Sequence, residues 1–194
     1  MSQALAENLY ISPQEYLEGE PLAETKHEYI DGEVYAMAGA SDAHTTVALN
    51  AASALKIHLR GSPCRTYISD MKVRIGEDNA FFYPDVMICC EPSDQEEEQN
   101  YLKKSPKIII EVLSPSTENK DRGEKFILYR QLSSLEEYIL IDPRKYYVEH
   151  YKRLENDQWI LSSYDNAESE LIFSSINFKC SLVDLYEDVV FVDS

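Results

Sequence analysis

The amino-acid sequence predicts an α/β protein of the α+β kind, in which a mixed central β-sheet is flanked by helices and followed by a β-meander. A long segment with helical spacing, 43–60, precedes several strand-like runs, and a second helical segment, 119–132, precedes a strand at 137–141. Three further strand-like runs lie within 146–176. Because several strands follow one another without helices between them, the order favours a mixed sheet over a regular βαβ series.

The first elements are a short helix and a tight hairpin. The segment 12–15 supplies a capping serine, a first-turn proline and a carboxylate three residues after the cap, which together open a helix. The runs 27–30 and 33–37 alternate around Asp31-Gly32, the dipeptide typical of a two-residue hairpin turn. We therefore expect Glu28 on the first strand of a hairpin.

The next segment is the most regular helix in the sequence. Ser41 and Asp42 provide an N-cap, and Gly61 follows the last periodic residue. The apolar residues recur at intervals of three and four: Val47, Ala48, Ala51, Ala54, Leu55 and Leu59. This spacing predicts a helix over 43–60, with His44 in its first turn.

The pattern then changes to alternating or continuous apolar runs. These runs are 64–69, 71–75, 81–90 and 106–113, separated by a turn at 76–79 and an acidic loop at 91–99. They predict the strands of the central sheet. Beyond 137–141, the predicted meander consists of 146–154, 159–164 and 171–176, closed by a short amphipathic piece at 181–186.

Length and composition are typical of one compact domain. The chain has 194 residues, 44% of them hydrophobic, and no apolar stretch near the roughly 20 residues of a membrane span. Residues 1–10 lack the basic start and apolar run of a signal peptide. The cysteines show no CxxC spacing, so we expect reduced core thiols in a cytoplasmic protein. They are Cys64, Cys89, Cys90 and Cys180.

The charge balance is strongly acidic. The 18 Lys and Arg residues against 35 Asp and Glu residues give a net charge of −17. Such a charge repels a phosphate backbone and argues against avid non-specific DNA binding. The loop 91–99 has the composition of a solvated or mobile segment.

Two carboxylates stand at positions that folding alone does not explain. Asp85 opens one apolar strand-like run and Glu111 ends another, where an uncompensated charge is costly. If the two strands are adjacent, the carboxylates meet, and with water they form the oxygen environment that Mg²⁺ prefers. Glu28 on the preceding hairpin is the natural third acid, with Glu33 on the partner strand as an alternative.

A purely structural interpretation of the carboxylates is also open. Asp85 and Glu111 can be strand-end residues that are capped by backbone donors or paired with Lys72 or Arg74. In that case no metal ion is needed to compensate their charge.

Several blocks of the sequence resemble the PD-(D/E)XK nuclease superfamily, and in particular a family of putative restriction endonucleases abundant in cyanobacterial genomes. The superfamily spacing is Pro84-Asp85 followed by Glu111-Val112-Leu113. The blocks that resemble the family are 27–33, 39–41 with His44, 83–86, 111–117, Asp121 with Lys125 and Tyr129, and 137–138 with 142–143. They place a single restriction-endonuclease-like core at about 10–165, with 166–194 as a C-terminal extension of the same domain.

The resemblance implies a restriction-endonuclease-like fold and a Mg²⁺-dependent phosphodiesterase site, with Mn²⁺ as an alternative metal. The implied metal ligands are Glu28, Asp85 and Glu111. The superfamily lysine two residues after the second acid is replaced here by Leu113, so Lys125 on the following helix is expected to supply the ammonium group. These three acids and Lys125 are the candidate catalytic residues.

Weaker candidates surround this set. His44, Ser41 and Ser114 are candidate substrate-binding residues, through the N-terminus of the long helix or the turn after Glu111. Ser41 also fits a simple helix cap, and His44 fits a structural position. Lys125 also fits a surface pair with Asp121, four residues before it.

The expected activity is metal-assisted hydrolysis of DNA phosphodiester bonds. Cleavage of two strands favours a homodimer, for which the 14 tyrosines could supply an interface, or they could stack on bases. Two alternatives remain: a catalytically degenerate nuclease fold that acts as a protein-interaction module, and a hydrolase of another phosphoester such as RNA or a small nucleotide.

Overall fold

The computed structural model describes residues 10–77, 79–96 and 101–191, which form two β-sheets, a separate hairpin, one long helix and several short helices. The helices are α1 Pro13–Gly19, α2 Asp42–His58, α3 Glu118–Lys120, α4 Phe126–Tyr129 and α5 Leu182–Leu185. A π-helical turn, Asp121–Lys125, joins α3 to α4, and we call 118–129 the helical segment. Glu20–Leu22, Pro92–Gln95 and Ser174–Ile176 form 3-10 turns.

The strands follow the predicted order, with two strands that were not predicted, at 102–103 and 178–181. They are β1 His27–Ile30, β2 Glu33–Ala36, β3 Arg65–Ile68, β4 Lys72–Ile75, β5 Ala80–Phe82, β6 Val86–Cys89, β7 Leu102–Lys103, β8 Pro106–Val112, β9 Glu137–Ile141, β10 Val148–Arg153, β11 Trp159–Tyr164, β12 Glu170–Phe173 and β13 Phe178–Ser181. The fold class is confirmed as a mixed α+β architecture with few helices beside the sheets.

The first sheet has five strands in the order β2-β1-β5-β4-β7. Its first two strands form the predicted hairpin, whose turn residues Asp31 and Gly32 have φ values of 45° and 96°. Two positive φ values are characteristic of the type I′ turn, which explains the Asp-Gly dipeptide at this position. The register of the hairpin places Tyr35 directly opposite Glu28.

The second sheet has six strands in the order β11-β10-β9-β8-β6-β3. Its central strand, β8, pairs antiparallel with β6 and parallel with β9. All of β8 except Lys107 is buried. Since both faces of β8 are covered, its side chains are apolar without alternation, as the run Ile108, Ile109 and Ile110 shows.

Three apolar clusters hold the layers together. Against one face of the six-stranded sheet pack α2, the β12–β13 hairpin and α5. A second cluster lies between the two sheets. It includes Phe82 of β5, Ile109 of β8 and Tyr129, which belongs to the helical segment. On the outer face of the five-stranded sheet, Tyr16 of α1 stacks on Phe81. The helical segment therefore lies over the region where the two sheets meet.

The predicted central sheet is divided into two, and the division falls inside the run 81–90. β5 belongs to the five-stranded sheet and β6 to the six-stranded sheet, with Tyr83, Pro84 and Asp85 between them. Pro84 lacks a backbone N–H and biases the preceding residue to an extended conformation, so the ladder ends there. The chain crosses from one sheet to the other at this point, and Asp85 lies at the start of β6.

The C-terminal strands also differ from the expected meander. β10 and β11 continue the six-stranded sheet from β9 by successive antiparallel pairing. The third expected strand, 171–176, becomes β12, which pairs with β13, a strand that the sequence analysis missed. Leu171 and Phe173 of β12 are buried in the cluster beneath α2, so packing on that helix decides the position of this hairpin.

The cysteine prediction was wrong for two of the four residues. Cys64 and Cys90 form a disulfide, because β3 and β6 pair with Arg65 opposite Cys89 and so bring their flanking residues together. The two other cysteines, Cys89 and Cys180, are buried free thiols as expected.

The acidic loop is partly built into the fold. Asp94 is 1% exposed and accepts hydrogen bonds from the backbone N–H groups of Lys104 and Ser105, at 2.8 Å each. The expectation of a solvated loop therefore fails at Asp94, while residues 97–99 lie outside the described residues. The same is true of residues 1–9, which carry most of the signal-peptide argument. Among the residues described, no helix is long and apolar enough to cross a membrane.

The disulfide gives a testable prediction about stability. A cross-link over a sequence separation of 26 residues restricts the unfolded chain, so reduction should lower the free energy of unfolding by about 3 kcal/mol. Thermal unfolding with and without dithiothreitol measures this as a fall in Tm of roughly 6–12 °C. A Cys64→Ser/Cys90→Ser variant should not respond to the reductant, whereas Cys180→Ser should respond like the wild type. An unchanged wild-type Tm would contradict the disulfide.

Candidate active site

Asp85 and Glu111 are brought together by the pairing of β6 with β8. Val86 lies opposite Ile110 in this antiparallel pair, so the start of β6 and the end of β8 meet at one edge of the sheet. The backbone N–H of Asp85 donates to Glu111 Oε2 at 3.3 Å, and the backbone N–H of Val112 donates to Asp85 Oδ2 at 2.8 Å. The predicted approach of these two carboxylates is therefore present in the structure.

Glu111 is buried and receives its other contacts from the helical segment. Lys125 Nζ lies 3.2 Å from Glu111 Oε1, and the hydroxyl of Tyr129 donates to the same oxygen at 2.8 Å. Tyr129 is fixed by ring contacts to Phe82 and Tyr138. The partners of Glu111 thus come from an element that follows it in sequence and folds back over it.

Lys125 contacts three carboxylates at the centre of the site. Its ammonium group lies 2.7 Å from Glu28, 3.2 Å from Glu111 and 3.3 Å from Asp121, and its side chain is 7% exposed. The alternative of an exposed Asp121–Lys125 surface pair is wrong, because both residues are buried. The π-helical turn begins at Asp121 and ends at Lys125, which is a backbone form often found at functional sites.

The side chains of the site hold more negative than positive charge. Three carboxylates, those of Glu28, Glu111 and Asp121, contact the ammonium groups of Lys125 and Lys120, and Asp85 adds a fourth carboxylate beside Glu111. Burial raises the pKa of Glu111 to about 8, although Lys125 opposes the shift. Burial also raises the pKa of Asp121. Burial alone would lower the pKa of Lys125, but its carboxylate neighbours outweigh burial and raise it.

Glu28 is placed in the site by the hairpin. Oε1 of Glu28 contacts Lys125, and Oε2 lies 3.6 Å from Lys120 Nζ. The alternative acid, Glu33, is exposed and accepts a hydrogen bond from the hydroxyl of Tyr35. The structure thus brings Glu28 to Lys125, where it holds the lysine, and its assignment as a metal ligand stays a prediction.

The three candidate substrate-binding residues differ in position. His44 Nε2 lies 3.3 Å from Asp85 Oδ2, and although burial opposes it, this contact raises the pKa of His44. Ser41 accepts a hydrogen bond from the backbone N–H of His44 at 3.2 Å and so caps α2. Ser114 contacts Ser116 and Thr117 in the turn before the helical segment. Of the three, His44 contacts a carboxylate of the site.

Two residues near the site were missed by the sequence analysis. Lys120 lies between Glu28 and the ring of Tyr35, with Nζ 3.9 Å from the ring centroid. Tyr35 could have been found from the hairpin register, since it stands opposite Glu28. No local pattern identifies Lys120, because its position depends on the π-helical turn that follows it.

The donor set fits a hard divalent cation that keeps part of its hydration shell. Among the described residues, no group of three or more His, Cys, Asp and Glu side chains converges closely enough to hold an ion by itself. Mg²⁺ is commonly held by one or two carboxylates, with waters and substrate phosphates completing its coordination. Asp85 and Glu111 supply such a pair, and a cation bound beside them would stabilise the ionised form of Glu111 and so oppose the rise in its pKa that burial causes.

Comparison with known proteins identifies one matching family and two relatives of similar length. Residues 13–182 match the model of the Uma2 family, described as "Putative restriction endonuclease". Two proteins of Synechocystis sp., both named as uncharacterized, are 34% identical over 181 residues and 36% identical over 168 residues. These alignments cover 93% and 86% of this chain and 94% and 95% of the relatives.

A solved structure has a similar fold. It is the crystal structure of a protein from Anabaena variabilis that is described as a putative nuclease belonging to DUF820. The TM-score is 0.77 at 19% sequence identity, over 93% of this chain and 99% of that one. At this identity the similarity shows the fold, which is nuclease-like.

The raised pKa of Glu111 predicts how the stability of the metal-free protein depends on pH. A carboxyl whose pKa is raised on folding destabilises the fold once it ionises, so stability is lost as pH rises from about 5 to about 8. Glu111→Gln lacks this titration. With EDTA present, its free energy of unfolding relative to wild type should therefore rise over this pH range.

Urea unfolding at a series of pH values measures this difference, and Glu155→Gln serves as the control at an exposed glutamate. The same pH dependence in wild type and Glu111→Gln would show that Glu111 is not the titrating group.

Proposed function

This chain belongs to the Uma2 family, described as "Putative restriction endonuclease", and from that membership we propose that it is a Mg²⁺-dependent endonuclease that hydrolyses DNA phosphodiester bonds. The observation that carries the proposal is the convergence of Asp85, Glu111 and Lys125 at one sheet edge. Two carboxylates can hold a cation, and an ammonium group beside them can stabilise the negative charge that develops on the phosphate in the transition state of phosphodiester hydrolysis.

Asp85 and Glu111 are the residues that would hold the ion, with Mg²⁺ as the expected metal and Mn²⁺ as the alternative. When bound, the ion supplies a Lewis acid for the phosphate and lowers the pKa of a water ligand. Val112 and His44 both contact Asp85 Oδ2, so they fix the orientation of that carboxylate before any ion binds. Tyr129 and Lys125 do the same for Glu111.

Lys125 takes the place of the lysine that the superfamily pattern puts two residues after Glu111. That position is Leu113, which is buried in the cluster between the sheets and serves packing. Because its carboxylate neighbours raise the pKa of Lys125, the ammonium stays protonated near neutral pH. It therefore acts as a fixed positive charge that stabilises developing negative charge. A protonated lysine cannot accept the proton of the attacking water, so Lys125 is not the general base.

Two features favour a second candidate, a degenerate nuclease fold that acts as a protein-interaction module. They are the net charge of −17 and the apolar Leu113 in the lysine position of the superfamily. Under this alternative, the buried cluster around Lys125 has only a structural purpose.

The first test measures metal binding and DNA cleavage in the same set of proteins. Calorimetric titration of Mg²⁺ and Mn²⁺ into wild type and Asp85→Ala, followed by nicking of supercoiled DNA at low salt, should show both activities in wild type and neither in the variant. Asp165→Ala is the matched control, because Asp165 is an exposed loop aspartate. Metal binding without nicking would indicate another phosphoester as substrate. Absence of metal binding in the wild type would favour the interaction module.

A second prediction separates the charge of Lys125 from its packing. Lys125→Met keeps an aliphatic side chain but leaves three buried carboxylates without their ammonium partner, which should destabilise the metal-free protein by about 3–5 kcal/mol. Mg²⁺ should restore part of this loss, so Tm should rise more on adding Mg²⁺ in the variant than in wild type.

The nicking rate of Lys125→Met in saturating Mg²⁺ should fall by roughly 10²–10³-fold, the effect of losing one group that stabilises transition-state charge. Lys56→Met, at an exposed lysine in the last turn of α2, controls for loss of a surface charge. If Lys125→Met keeps the wild-type rate, Lys125 has no catalytic part.

A further inference from the structure

The mouth of the site is formed by Tyr35 and Lys120. Tyr35 lies opposite Glu28 in the hairpin, and directly opposed residues of an antiparallel pair share a face of the sheet. Glu28 is buried, whereas Tyr35 on the edge strand β2 is 39% exposed. The hairpin therefore connects the interior of the site, where Glu28 is buried on β1, with the solvent-exposed edge at Tyr35 on β2.

Lys120, on the helical segment, also lies at the boundary between the buried site and solvent. Its side chain is 23% exposed, against 7% for Lys125, although both ammonium groups contact Glu28. The contact of Lys120 with Glu28, at 3.6 Å, is longer than the 2.7 Å contact of Lys125. Since Lys125 is the closer partner of Glu28, Lys120 is only partly neutralised and is accessible from outside.

Tyr35 and Lys120 form one unit. Lys120 Nζ lies 3.9 Å from the centroid of the Tyr35 ring, within the range of a cation–π contact. The hydroxyl of Tyr35, at the far end of the ring, donates to Glu33. An exposed aromatic ring beside an accessible ammonium group matches the two parts of a nucleotide, because the ring offers a stacking surface for a base and the ammonium group binds a phosphate.

The stacking surface discriminates between paired and unpaired bases. A tyrosine ring stacks on the face of a base only when that face is free, as in single strands, ends and loops. The net charge of −17 acts in the same direction, because repulsion is greater for a duplex, which has twice the phosphates per unit length. Glu33 and Glu124 near Tyr35 add to this repulsion.

We propose that the site acts on single-stranded nucleic acid, with Tyr35 stacking on an unpaired base and Lys120 binding a phosphate next to the one that is cleaved. This inference rests on the proposed nuclease function and specifies its substrate. DNA and RNA single strands share the required chemistry, and the experiment separates them.

Fluorescence anisotropy tests the proposal. The probes are labelled oligonucleotides of about 12 nucleotides, as single-stranded DNA, single-stranded RNA and the corresponding duplexes, with Ca²⁺ in place of Mg²⁺ to prevent cleavage. Wild type should bind at least one single strand about tenfold more tightly than its duplex. The single strand that binds more tightly identifies the sugar.

Two variants at each position test the named residues. Tyr35→Ala should weaken single-strand binding by roughly 5- to 150-fold, whereas Tyr35→Phe should stay within about twofold of wild type, because stacking needs only the ring. Lys120→Ala should lower the slope of log affinity against log salt by about 0.7, the value for one phosphate contact on a single strand. Lys56→Ala should change neither quantity, and Tm measurements confirm that each variant is folded.

The outcomes separate this inference from the nuclease proposal. Equal or tighter duplex binding that is insensitive to Tyr35→Ala overturns the inference but leaves the nuclease proposal to the Asp85 experiment. Loss of binding in Tyr35→Phe as well as Tyr35→Ala also overturns it, because the hydroxyl and not the ring would then be responsible. If no oligonucleotide binds while Mg²⁺ still does, the inference fails and the nuclease proposal requires another phosphoester.

Discussion

The ammonium group of Lys125 is the interaction on which the site depends. It is buried with three carboxylates, from β1, β8 and the π-helical turn, so it ties both sheets and the helical segment to one point. Without a buried cation, these carboxylates would repel one another in a region of low dielectric constant. Burial raises the pKa of Glu111 to about 8, with a smaller contribution from the neighbouring carboxylates, and the charge of Lys125 compensates only part of this effect.

This incomplete compensation links stability to function. Replacing a buried ion pair with well-packed apolar side chains often leaves a protein equally stable or makes it more stable. A core selected only for stability would therefore have apolar side chains in place of this charged cluster. Here apolar packing lies directly beside the charged cluster, since the ring of Tyr129 contacts the rings of Phe82 and Tyr138. Under the proposed function, the charged cluster is retained despite its cost in stability, because it would bind a cation and stabilise a charged transition state.

The electrostatics of the whole chain also bear on the site. A net charge of −17 lowers the affinity for any polyanion, so recognition must come from a few local contacts and not from a general basic surface. Lys120 and Tyr35 supply contacts of this kind at the mouth of the site, while Lys125 lies deeper. A metal ion held by Asp85 and Glu111 would shift the local balance further toward positive charge.

Local features of the sequence alone determined the hairpin at Asp31-Gly32, the capping box at Ser12 and the N-cap of α2 at Ser41, because caps and turns act over a few residues. The approach of Asp85 and Glu111 was also predictable, since Asp85 opens one apolar run and Glu111 ends another. The tertiary structure alone decided that the run 81–90 divides between two sheets and that 171–176 pairs with β13. It also decided that Cys64 and Cys90 are joined, that Lys125 is buried among three acids, and that Lys120 reaches Tyr35. These outcomes depend on which distant strands pair and on a single π-helical turn, and neither leaves a periodic signal in the sequence.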